Sequence, residues 1–84
     1  MKKTEMGRNI YESLDELLNQ TVLHVTEDAD NYYVKLKTDD FYDNIIWVCN
    51  KRTGKVSWML LTEYFVFEDD TKPVNPDELK ESLK

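Results

Sequence analysis

Between Asn44 and Phe67 the chain reads NIIWVCNKRTGKVSWMLLTEYFVF, and this stretch limits the available folds more than any other. It contains both tryptophans and the only cysteine, and a polar segment, Lys51-Arg52-Thr53-Gly54, divides it. Ile45 to Cys49 is almost continuously apolar, the pattern of a central strand covered on both faces. Lys55 to Leu60 returns as its partner, with Val56 and Trp58 on one face. Gly54 supplies the positive φ that a longer hairpin turn with a bulge requires. The stretch reads as a buried β-hairpin at the centre of a small domain. Leu61 to Glu68 is ambiguous: aromatic and β-branched content favours a strand, which is the reading taken here. Leu60, Leu61, Tyr64 and Phe65 also fit a short helix capped by Thr62.

The flanks supply the rest of a single domain spanning residues 1–84. Met1 to Arg8 reads as a frayed, disordered start. Ile10, Leu14, Leu17 and Leu18 recur at helical spacing, which predicts a helix over Asn9 to Asn19. Asn9 with Glu12 can cap it, or Ser13 with Glu16 one turn later. Thr21 to Thr26 alternates, with Leu23 and Val25 on one face and Val22 and His24 on the other. Glu27 to Asn31 is a turn. Tyr32, Val34 and Leu36 then alternate with Tyr33, Lys35 and Lys37, a half-buried strand wet on its lysine side. Thr38 to Asp43 and Asp69 to Val74 read as loops. Asn75-Pro76-Asp77-Glu78 opens a short helix: a cap, proline at the first helical position, then acids in the first turn. The expected fold is α+β in two layers: an N-terminal helix packed on an antiparallel β-meander of four or five strands, with a short C-terminal helix.

The segment Cys49-Asn50-Lys51-Arg52-Thr53-Gly54-Lys55-Val56 resembles the hairpin of PepSY-type domains, whose strand and turn read V-D-x-x-T-G-x-V. Thr53, Gly54 and Val56 match, and Asn50 stands at the aspartate position. The resemblance implies a β-hairpin here and a helix followed by antiparallel strands.

A net charge of −6 and a pI near 4.6 disfavour direct binding of nucleic acid. Lys35, Lys37, Lys51, Arg52 and Lys55 are the main basic concentration, with Tyr33 among them, and read as a solvated sheet face and a charged turn. A single cysteine in an apolar strand fits a reducing compartment. With no apolar run behind Lys2-Lys3 and none long enough to span a bilayer, a cytoplasmic protein without membrane contact is expected.

No catalytic constellation emerges, so no enzyme, cofactor or metal is expected. Asp28 and Asp30 read as turn residues, because a calcium loop would need a glycine and a distal glutamate that are missing. Five aromatic residues, Tyr11, Tyr33, Phe41, Tyr42 and Tyr64, are not assigned to the core by alternation. The favoured function is a small acidic protein-interaction module of accessory, inhibitor or immunity type. Its acidic residues Asp39, Asp40, Asp43, Glu68, Asp69 and Asp70 would engage a basic protein, with Phe41 or Tyr42 as an apolar anchor. The alternative is a ligand-binding or catalytic pocket near Cys49 and His24, should their strands adjoin on one face. A homodimer through a sheet edge or the terminal helix is also compatible.

Overall fold

The computed structural model describes residues 2–3, 9–37 and 43–83. In chain order the elements are β1 (Lys2–Lys3), β2 (Asn9–Ile10), α1 (Leu14–Leu18), β3 (Val22–Glu27), β4 (Asn31–Leu36), β5 (Ile45–Asn50) and β6 (Val56–Leu60). After these come α2 (Leu61–Phe67), a 3-10 turn (Glu68–Asp70), β7 (Lys72–Val74) and α3 (Pro76–Ser82). The fold is α+β. Its main sheet has five strands in the order β6-β5-β4-β3-β7, each antiparallel to its neighbours. The strands β3 to β6 form a meander. The chain then crosses the sheet, and β7 pairs with β3 at the far edge.

The crossing element is α2, and it corrects two expectations. Leu61 to Phe67 is helix, not strand, and Lys72–Val74 is a strand, not loop. Both follow from the ladder. Leu60 is still extended, and the Leu61 amide donates to the Asn44 carbonyl at 2.8 Å, the last bond of the β5–β6 pairing. Beyond it the chain turns onto the sheet, where Leu61, Tyr64 and Phe67 reach the face that β5 would otherwise expose. Burial thus selects helix for residues whose intrinsic preference is for strand.

The first face of the sheet packs Leu14, Leu17 and Leu18 of α1 and Leu79 of α3 over Val25, Val34, Leu36, Ile45, Trp47 and Cys49. Tyr11 sets its ring edge-on to Trp47, centroids 4.9 Å apart. The second face packs Tyr64 over Tyr33, Ile46 and Val48. Helices therefore lie on both faces, one layer more than a two-layer reading provides, and β5 is covered on both sides as its apolar run requires.

Four local features differ from expectation, each with a cause. The first helix starts at Leu14 because the Ser13 hydroxyl accepts from the Glu16 amide at 3.2 Å, while Asn9 and Ile10 pair with β1. A bulge between Val22 and His24 shifts the β3 register, so Val22 joins Val25 at the first face and Leu23 is exposed. Tyr11, Tyr33 and Tyr64 are all core residues. Finally, β4 is not wet on its lysine side, because Lys35 is buried. The β4–β5 ladder stops at Val34 and Trp47, and the Lys35 ammonium donates to the carbonyls of Asp43 and Ile45, each at 3.1 Å. It supplies donors where the neighbouring strand no longer does.

Candidate interaction surface

The inward residues of α2 fix what its other side presents. Tyr64 has no exposed surface, and its hydroxyl shares hydrogen bonds with Thr26 at 2.7 Å and Thr71 at 3.4 Å. Its ring lies 5.4 Å from that of Tyr33 and 5.5 Å from that of Phe67. With Leu61, Tyr64 and Phe67 turned in, Phe65 and Val66 project outward at 58% and 86% exposure. Exposed carboxylates flank them: Glu63 before, and Glu68, Asp69 and Asp70 in the 3-10 turn that follows. The Thr71 amide and hydroxyl close that turn by donating to the Glu68 carbonyl at 3.0 and 2.7 Å. From Leu61 to Thr71 the sequence holds four acids and no base.

Of the acidic residues singled out from sequence, the described ones, Asp43 and Glu68 to Asp70, do not form one patch. Asp39, Asp40, Phe41 and Tyr42 lie outside the described residues. Asp43 is exposed just before Ile45, at the end of the sheet where Ile45 pairs with Leu60. Glu68 to Asp70 lie just before Lys72, which pairs with Glu27 at the opposite end. The length of β5, roughly 17 Å at the usual rise per residue, separates those ends. Phe65 and Val66 were missed because their stretch read as a strand. The alternative helix grouped Phe65 with Leu60, Leu61 and Tyr64, whereas the structure turns Tyr64 inward and Phe65 outward.

Asp28 has a structural task. Its carboxylate accepts from the Asp30 and Asn31 amides at 2.9 and 2.8 Å and from the Tyr33 hydroxyl at 2.6 Å, which shapes the β3–β4 turn. Burial alone would raise this carboxyl, but those three donors and the nearby Lys51 charge together hold it below the usual carboxylate range. Burial, reinforced by the bond to Asp28, pushes the Tyr33 phenol up to about 12. The expected basic concentration is dispersed: Lys35 and Tyr33 are buried, while Lys51 pairs with Glu27 at 2.9 Å and lies 4.8 Å from the Tyr32 ring centroid.

A shallow cleft of about 430 Å³ opens at the hairpin-turn end of the first face, where Ser13, Leu14, Tyr32, Cys49, Lys51 and Leu83 are among its lining residues. The Cys49 thiol is buried, which pushes it up and favours the protonated, unreactive form, against a smaller lowering by a hydrogen bond from the Leu14 backbone. His24 cannot assist it. Strand β4 lies between their strands, and His24 is on the opposite face from Val25, which shares the Cys49 core. Among the described residues no group of three or more His, Cys, Asp or Glu side chains is placed to hold a metal, and no helix is long and apolar enough to cross a membrane. No protein-family model, curated protein or solved structure matches this chain.

Proposed function

We propose that this chain is a non-catalytic protein-interaction module that docks through the outer face of α2 onto a partner with an apolar socket and a basic rim. The observation behind this reading is the exposure of Phe65 and Val66 in a stretch, Leu61 to Thr71, that carries four acids and no base. An exposed aromatic residue beside an aliphatic one gives a partner apolar area to bury, and surrounding charge selects the partner's sign and speeds encounter. The net charge of −6 acts in the same direction. Asp43 is exposed at the other end of the sheet, a second contact for a partner long enough to reach it.

The test is affinity capture with the intact protein at low and moderate salt, comparing it with Phe65→Ser/Val66→Ser and with Glu68→Lys/Asp69→Lys/Asp70→Lys. Partners held by the parent and lost by the first variant at both salts, with unchanged thermal midpoints, are expected. The charge-reversed variant should lose them too, and the parent should hold them less tightly as salt rises. Retention of every partner by both variants would overturn the proposal.

A further inference from the structure

The two edges of the sheet are built differently. At one edge, β7 is three residues long and carries Lys72 and Pro73, features that deter further pairing. At the other, β6 runs from Val56 to Leu60 without a charge or a proline, and among the described residues no strand pairs with its outer side. Trp58 is 51% exposed there and Leu60 37%.

The hydrogen-bond register shows what this edge offers. The Asn50 amide donates to the Lys55 carbonyl, and the Leu61 amide donates to the Asn44 carbonyl. Alternation between these bonded pairs directs the Ser57 and Met59 backbone toward β5. It directs the amides and carbonyls of Val56 and Trp58, and the Leu60 amide, to the open side. The Leu60 carbonyl, at the cap of α2, serves that helix. Two of the residues with outward backbone groups, Trp58 and Leu60, also carry exposed apolar side chains, on the face shared with Trp47.

We infer that the β6 edge pairs antiparallel with the β6 edge of a second copy of this chain, about a two-fold axis through Trp58. The outward exposure of Phe65 and Val66, on which the proposed function rests, plays no part in this inference. Pairing about that axis sets Trp58 opposite Trp58 of the second copy, bonded in both directions. It brings each Leu60 amide to the carbonyl of Val56 of the second copy. No like charges meet along the seam, because Val56 to Leu60 contains none. Beyond it, Lys55 falls opposite Leu61 of the second copy, at the first turn of α2, which carries Glu63. Alternation from Met59 puts Lys55 on the α2 side of the sheet, so cation and acid share a face. This two-fold match in bonding and charge favours a second copy over an unrelated strand. A five-residue seam falls short of the area of stable complexes. The association is therefore weak, with a Kd on the order of 100 µM.

Sedimentation equilibrium from about 10 µM to about 1 mM, a range bracketing that affinity, provides the test. The weight-average mass should rise from 10.0 kDa toward twice that value. Trp58→Lys places like charges on the axis and should hold the mass at the monomer value throughout. Hydrogen exchange on the unaltered chain gives an independent reading: the Trp58 amide should slow with concentration, whereas Ser57 and Met59, already bonded to β5, should not change. A constant monomer mass with concentration-independent Trp58 exchange would overturn the inference. So would a dimer indifferent to Trp58→Lys, or Trp58 protection that arises only when a foreign extended peptide is added.

Discussion

One hydroxyl group ties α2 to the rest of the molecule. Tyr64 meets Thr26 on β3 and Thr71 before β7, so it joins the crossing helix to both strands of the far seam. Tyr64→Phe keeps the ring but leaves those threonines without their partner, and should cost about 1–2 kcal/mol. Tyr64→Ala also opens a cavity, and a loss of about 3–5 kcal/mol is expected. Urea midpoints for the two variants separate the polar from the packing contribution. Asp28 and Tyr33 act on pH. Folding lowers the Asp28 carboxyl, so its contribution is present above the ordinary value of 3.8 and is lost as pH falls through the folded value. Folding raises the Tyr33 phenol, so its contribution is complete below 10 and is lost as pH climbs toward about 12. Urea midpoints followed above pH 9 should fall steeply for the parent and less for Tyr33→Phe; equal slopes would contradict this assignment. At this scale the sequence was only partly legible. Alternation along β4 identified Tyr32, Val34 and Leu36 correctly, but it put Tyr33 and Lys35 on a wet face because nothing in those residues announced the helix that covers Tyr33 or the carbonyls of Asp43 and Ile45 that hold Lys35.

The hairpin turn between β5 and β6 was the most legible element, because its chemistry is local. Asn50 accepts from the Arg52 and Thr53 amides at 2.9 Å each, Thr53 accepts from the Lys55 amide at 3.2 Å, and Gly54 sits at φ 74°. A Cβ at Gly54 would meet no atom within 4 Å, so Gly54→Ala tests backbone conformation alone. It should cost about 1–2 kcal/mol, and Gly54→Asn less, since asparagine tolerates the left-handed region; calorimetry of both reports it. The opening of α3 was legible for the same reason: Asn75 accepts from the Asp77 and Glu78 amides at 2.9 and 3.3 Å. Its replacement by alanine should destabilise by about 1 kcal/mol, readable in the thermal midpoint. Two elements misread from sequence, α2 and β7, have a form set by distant partners. Phe65, Val66 and Phe67 favour strands intrinsically, and Pro73 argues against one, yet the open face of β5 and the open edge of β3 decide otherwise.

At the scale of the molecule, the sheet is a local meander closed by one long-range seam. The pairs β3–β4, β4–β5 and β5–β6 each join neighbours in sequence, so each can form as soon as its own turn does. The β3–β7 seam joins Val25 to Val74 and requires α2 to have crossed the second face first. A folding chain can therefore complete the meander while β3 is still an open edge, with Val25 and Thr26 awaiting partners. Until residues 72–74 dock, such a chain has two edges available for wrong pairings, and the arrival of Pro73 beside Thr26 removes one of them.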